Sequence, residues 1–157
     1  GTIQFDKSRN DFPVTLHDPC NYVRLMGIVS PQREVIRHVV PEGRFREMAP
    51  HGVNNYCCGG GSGFAIMSGH NFASWRHHLT GRRKFRQILQ AFQGEPWNAE
   101  SHKYVCAPCS NCKGQLRDII SYYKAYEKAG LLYGGLVELM VNAMLAVKPN
   151  YIDWEWH

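Results

Sequence analysis

No stretch of this sequence stays apolar for the roughly 18–20 residues that a membrane-spanning helix needs, so direct membrane insertion is not expected. The opening residues, Gly1 to Asp11, also lack the charged-then-apolar pattern of a signal peptide. They carry no initiator Met, which is expected of a mature or excised piece, such as the C-terminal part of a longer subunit. There is no Cys-x-x-Cys-x-x-Cys-x-x-x-Cys-Pro run of the ferredoxin kind, and no flavin or haem motif. Internal repeats and low-complexity segments are missing as well. Charge is sparse: charged residues are 20% and hydrophobic residues 44%, which indicates a globular chain rather than a disordered one. At 157 residues the whole chain, 1–157, reads as one domain with room for a core and no need of disulfide staples.

The net charge is +5, and most of it falls between Arg76-His77-His78 and Arg82-Arg83-Lys84-Phe85-Arg86. No stacking-aromatic ladder or recognition motif accompanies that stretch, so nucleic acid is not the expected partner. It reads as a solvated helix face or as a docking surface for an acidic partner.

What the chain does have is cysteine in a pattern. Cys20 is followed after thirty-six residues by Cys57-Cys58, and after fifty more by Cys109-x-x-Cys112. Adjacent cysteines bridge one another only with strain, because their Cα atoms are a single peptide apart. Their more natural use is to aim two thiolates at something thiophilic, and Gly59-Gly60-Gly61 directly after them lets the backbone approach it closely. The double cysteine and the closing Cys-x-x-Cys favour reduced thiolates in the cytoplasm over a secreted disulfide scaffold.

The coarse pattern is α/β: a small sheet of short, mostly parallel strands flanked by helices, with the cysteine loops at strand C-terminal ends. Val14-Thr15-Leu16-His17 reads as a strand that stops at Pro19 and delivers Cys20. Ser30-Pro31 reads as a helix start, with Val35, Ile36, Val39 and Val40 at helical spacing until Pro41. Phe45 to His51 reads as a connector. Phe72, Trp75 and Leu79 mark one helical face, and Phe85, Ile88, Leu89 and Phe92 mark another. Tyr104-Val105 is extended, Leu116, Ile119, Ile120 and Tyr123 mark a further helix, and Leu136, Met140, Met144 and Val147 a last one, ended by Pro149. The tail from Asp153 to His157 is too aromatic for plain solvent filler.

Three segments carry a family resemblance: His17-Asp18-Pro19-Cys20, Cys57-Cys58-Gly59-Gly60-Gly61, and Ala107-Pro108-Cys109-Ser110-Asn111-Cys112-Lys113-Gly114. In this order they resemble the cysteine-rich CCG domain of heterodisulfide reductases (the HdrB and HdrD type), over roughly residues 14–120. The narrower likeness is to the C-terminal part of DsrK-type subunits, found in a membrane complex of dissimilatory sulfite reduction. The resemblance implies a noncubane [4Fe–4S] cluster held by Cys20, Cys57, Cys58, Cys109 and Cys112, working on a disulfide or trisulfide at the Cys57-Cys58 edge. Gly59, Gly60 and Gly61 would supply amide hydrogen bonds, and Lys113 a positive charge beside the cluster. It further implies a small cysteine-armed sulfur carrier of the DsrC kind as substrate. Electrons would come from membrane-complex or ferredoxin-type subunits, on the cytoplasmic side of the membrane.

Two features depart from the family pattern. The gap between Cys58 and Cys109 is longer than usual, so residues near 80–100 are expected to form an insertion with part of the basic stretch on it. Cys106 is extra, and stands as a rival ligand, a thiol that exchanges with substrate, or an inert buried residue. Two other functions are in play: an electron-transfer subunit of another CCG-containing oxidoreductase (a lactate or glycolate oxidase, or a succinate dehydrogenase relative), or a zinc-stabilised interaction domain. His17 reads as a structural neighbour of the site rather than a ligand.

Overall fold

The structure, a computed structural model, describes residues 2–61 and 75–149. Its frame is a four-stranded sheet, parallel throughout, in the order β2-β1-β3-β4, with β1 Val14–Leu16, β2 Phe45–Arg46, β3 Lys103–Cys106 and β4 Leu131–Gly134. Val14 lies opposite Phe45 on one side and Tyr104 on the other, and Lys103 opposite Leu131. Every residue of β1 and β3 is buried, as expected of central parallel strands covered on both faces.

Alternation along β3 assigns the two faces. Tyr104 and Cys106 join Val14, Leu16, Leu132 and the helices α1 (Ser30–Val39) and α5 (Leu136–Ala143), through Ile36, Val39 and Leu139. Val105 joins Leu131 and the helices α2 (Arg82–Ala91) and α3 (Ser110–Tyr122), through Ile88, Phe92, Leu116 and Ile120. A short helix, α4 (Ala125–Ala129), leads from α3 into β4. The α/β class is therefore as the sequence implied.

Connectivity places the site. From β1 the chain crosses outward to β2, and from β3 it crosses the other way to β4, so the switch point lies between β1 and β3. In open parallel sheets the crevice beyond the strand C-termini at that point is where ligands bind. The segments starting at His17 and at Ala107 leave the sheet there.

Several details differ from the sequence reading. The connector contains β2, whose two residues pair with β1, and Leu131–Gly134 forms an edge strand with no alternation to announce it. Ser30 is already helical, with Val29 at the cap position and no side-chain cap bond. Trp75 and Leu79 are exposed on a π-helical turn, Trp75–Thr80, not buried on a helical face. Phe72 and the aromatic tail lie outside the described residues. α5 ends at Ala143 rather than continuing through Val147, because Met144 forms an antiparallel bridge with Phe5. Arg9 then donates from Nη1 to the carbonyls of Met144 and Val147, at 2.6 and 2.7 Å, holding that turn to the N-terminal segment.

Candidate metal centre

Asp18 anchors the first loop. Its carboxylate takes a paired hydrogen bond from the Arg33 guanidinium, Nη1 to Oδ1 at 2.9 Å and Nη2 to Oδ2 at 2.8 Å. Arg33 also donates to both oxygens of Glu47, and Asp18 Oδ2 accepts the Gly52 amide at 2.6 Å. One buried carboxylate thus ties the loop carrying His17 and Cys20 to α1 and to the segment that approaches the double cysteine. Surrounded by these two carboxylates, the Arg33 guanidinium is held protonated beyond its usual range despite burial.

The double-cysteine loop turns at Gly59, where φ is +86°. A Cβ there would sit 2.3 Å from the Thr80 carbonyl carbon and oxygen, so glycine is required by conformation and by space. The turn aims the Gly59 amide at Cys57 Sγ, 3.4 Å away, and the Gly60 amide at Cys58 Sγ, 3.3 Å away. Cys57 is exposed and Cys58 buried. Cys57 adjoins Cys58 in the chain, and the Cys58 and Cys112 sulfurs lie within 4.8 Å of one another. Sharing its proton with Cys112, and burial, push the Cys58 thiol up to about 12; donation to Cys58, and burial, push Cys57 up as well. Without a cation these thiols stay protonated, and a bound thiophilic metal would deprotonate them.

Beside them lies His17. One of its ring nitrogens and the sulfurs of Cys58 and Cys112 all lie within 4.8 Å of one another, and all three residues are buried. Burial, reinforced by the nearby Lys84, drives the His17 pKa well down, so the ring is neutral. Its Nε2 is buried with no hydrogen-bond partner. An orphaned ring nitrogen and close thiols whose amide partners are Gly59, Gly60 and Gly61 fit a thiophilic metal or metal–sulfur group.

Cys20 sits at the head of the Asn21–Leu25 turn and Cys109 at the cap position of α3; both are half-buried, and with Cys57 they fall outside the close group of three. Cys106 is fully buried in the layer of Tyr104, Ile36 and Leu139, on the opposite face of the sheet from Cys58 and Cys112, and burial raises its thiol pKa. Of its three readings, the structure selects the inert buried residue.

Lys113 Nζ donates to Glu138 Oε1 at 2.9 Å. The pair rims a groove of about 510 Å³, with Cys109, Pro108, Val35 and Leu136 among its walls. Burial pushes the Glu138 carboxyl up, but bonds from Lys113 and the Gly135 amide outweigh it and leave it below its ordinary value. That contribution is full above the ordinary carboxyl range and is lost as pH falls through the lowered value. Glu138→Gln is therefore expected to cost less than about 1 kcal/mol at neutral pH, the pair being partly exposed, and to flatten the acid limb of an unfolding titration.

The basic stretch is not one solvated face. Arg76 is buried against Asp118, and Lys84 has no exposure at all, while Arg82, Arg83 and Arg86 face solvent. α2, which carries Lys84, buries Ile88 in the core, so the helix within residues 80–100 is part of the frame. Lys84 Nζ donates to Asn55 Oδ1 at 2.9 Å and to Gln87 Oε1, and desolvation lowers its pKa to about 7. This residue escaped the sequence reading. Its one signal is that it lies four residues before Ile88 on the buried face.

Comparison with known proteins now bears on this site. A family description, "CCG: Cysteine-rich domain", matches residues 14–117, from β1 into α3. The chain belongs to the CCG cysteine-rich domain family. This CCG chain is 45% identical over 146 residues to the "Hdr-like menaquinol oxidoreductase iron-sulfur subunit 2" of Archaeoglobus fulgidus, covering 91% of the chain and 24% of that protein. It is 42% identical over 148 residues to the "Hdr-like menaquinol oxidoreductase iron-sulfur subunit" of Archaeoglobus profundus, with the same coverage, 91% and 24%. A component of the dihydromethanophenazine:CoB--CoM heterodisulfide reductase of Methanosarcina acetivorans, its HdrD polypeptide, is 41% identical over 61 residues, 39% of the chain and 14% of that protein. The CCG chain thus spans about a quarter of the length of the two Archaeoglobus relatives. No solved structure matches it significantly. No described helix is long and apolar enough to cross a membrane.

Proposed function

We propose that this CCG domain holds an iron–sulfur cluster of the noncubane [4Fe–4S] kind on Cys20, Cys57, Cys58, Cys109 and Cys112, within an Hdr-like iron–sulfur oxidoreductase subunit. The observation that carries the reading is the buried group of Cys58, Cys112 and a His17 ring nitrogen, all within 4.8 Å of one another, with exposed Cys57 next to Cys58. Five thiolates exceed the four of an ordinary cubane or a zinc site. When bound, the cluster supplies single electrons and an iron–sulfur surface able to take up thiolate. The chain's own parts do the rest. The Gly59 and Gly60 amides donate to the bound sulfurs, and Asp18 with Arg33 keeps the Cys20 loop in register with the double cysteine. Cys57, the exposed thiol, marks the edge from which a substrate disulfide approaches.

The reaction proposed is reduction of a disulfide or trisulfide. For a disulfide, two electrons and two protons break one S–S bond and release two thiols. The substrate would be a DsrC-like carrier protein with a cysteine-bearing arm. The electrons would come from neighbouring iron–sulfur subunits of a complex like those named for the Archaeoglobus relatives, and ultimately from a quinol.

A zinc site is the second reading, because the close group of two cysteines and a histidine is a zinc-type donor set. Metal analysis of anaerobically purified protein separates the two. About four irons and four sulfides per chain, with an EPR signal on oxidation, support the cluster; one zinc without sulfide overturns it. Cys58→Ala and Cys112→Ala are each expected to abolish iron retention. Cys106→Ala is expected to leave it unchanged, its thiol lying on the other face of the sheet.

A further inference from the structure

Behind the thiols lies a buried polar chain that the proposed chemistry has not used. Lys84, Gln87, Asn55 and His17 are each nearly or wholly inaccessible. Gln87 Nε2 donates to the Pro50 carbonyl at 2.7 Å, which turns Gln87 Oε1 toward Lys84. Asn55 Nδ2 donates to the Asp18 carbonyl at 3.3 Å, which turns Asn55 Oδ1 toward Lys84, 2.9 Å away. Two carbonyl oxygens, which only accept, thus fix both amide orientations, and Lys84 Nζ meets two amide oxygens as a donor.

The same Asn55 NH₂ faces His17 Nδ1 at 3.4 Å. An amide NH₂ only donates, so Nδ1 is the accepting nitrogen and the ring hydrogen sits on Nε2. A metal-bound histidine shows the opposite arrangement: its other nitrogen carries the hydrogen and gives it to an acceptor. Were Nε2 the ligand, Nδ1 would have to donate into a donor. Were Nδ1 the ligand, it would have to give up Asn55 and leave Nε2–H buried without an acceptor.

Building on the iron–sulfur reading, we infer that Lys84, acting through Asn55, locks His17 as the Nε2–H tautomer, which excludes it from the metal's ligand set and makes it a hydrogen-bond donor to an anionic thiolate or sulfide at the site. Lys84 is a positioning residue in this scheme, acting through its N–H donors to Asn55 and Gln87. Hydrogen-bond donors to a cluster's sulfurs stabilise its reduced, more negative state, so they raise its potential.

The test uses the protein purified anaerobically in its native assembly, with histidine labelled in nitrogen-15, and pulsed EPR of its oxidised centre. The expected wild-type result is one exchangeable proton coupling beyond those of the Gly59 and Gly60 amides, without the coupling of a directly bonded nitrogen. His17→Phe is expected to retain iron and to lose that proton coupling. At the wild-type midpoint its ratio of reduced to oxidised centre is expected to fall about tenfold, a shift of about 59 mV for a one-electron couple. Lys84→Met is expected to lower the same ratio in the same direction. A directly bonded histidine nitrogen in the wild-type centre overturns the inference without any variant. So does a Lys84→Met protein whose proton coupling and midpoint match wild type. A protein with no EPR-active centre and one bound zinc overturns the parent reading instead, and long-range nitrogen–proton NMR of that protein then shows which His17 nitrogen carries the hydrogen.

Discussion

Asp18→Ala is expected to lower the unfolding free energy of the metal-free protein by about 3–5 kcal/mol, the range for removing one partner of a buried ion pair. Asp18 is 2% exposed and its carboxylate accepts three hydrogen bonds: two from Arg33 and one from the Gly52 amide. The alanine strips one carboxylate from a guanidinium that stays buried, and leaves the Gly52 amide without its acceptor. Against a typical domain stability of about 5–15 kcal/mol, that loss approaches the whole margin. Urea unfolding of both forms measures it, and a change below about 1 kcal/mol would refute the anchoring role. The Cys20 loop loses its tether in the same step, so iron retention should fall with stability. Arg33→Met should behave similarly, since it leaves two carboxylates facing one another.

Gly59→Ala is the second large effect. A non-glycine residue in the left-handed region costs about 1–2 kcal/mol. The added Cβ would also stand 2.3 Å from the Thr80 backbone, and such overpacking adds about 1–3 kcal/mol. Thr80 cannot simply retreat, because the adjoining Gly81 is wedged against the Arg76 carbonyl, Ile119 and Gln115. The Gly59 and Gly60 amides that point at Cys57 and Cys58 would be displaced together, so iron content per chain should drop well below wild type. Gly61→Ala is the control. Among the described residues nothing lies within 4 Å of its would-be Cβ, and it is expected to change neither urea midpoint nor iron content appreciably. Equal behaviour of the two variants would show that the turn does not shape the site.

How much of this was legible beforehand differs residue by residue. The loops carrying Cys20, Cys58 and Cys112 could be placed because Cys20 follows a strand signal, Cys58 leads into a glycine run and Cys112 closes a Cys-x-x-Cys, and ordered motifs survive without tertiary information. His17 came with them, one residue past β1. Its tautomer did not, since that depends on Asn55 and Lys84, which lie 38 and 67 residues further along the chain. Lys84 was hidden for a physical reason: flanked by Arg82, Arg83 and Arg86, it has the local look of a solvated face, and only the packing of α2 shows which of those cations is enclosed. β4 was hidden because a fully buried edge run, Leu131-Leu132, shows no alternation for a strand pattern to display. Cys106 stayed ambiguous because three residues separate it from Cys109 in the chain, whereas the parity of β3 is what sends its side chain to the other layer.

That parity makes the sheet a chemical partition. Thiols that empty of metal and meet oxidant can cross-link wherever their sulfurs can meet, and Cys58 and Cys112 lie within 4.8 Å of one another. Cys106 is walled off from Cys58 and Cys112 by the thickness of the backbone and its ladder of hydrogen bonds. It can join a wrong disulfide with them only if β3 leaves the sheet. A redox domain built this way tolerates a sixth cysteine in its interior without adding a route to scrambling, and an oxidised, metal-depleted sample should keep one thiol unmodified until it is unfolded.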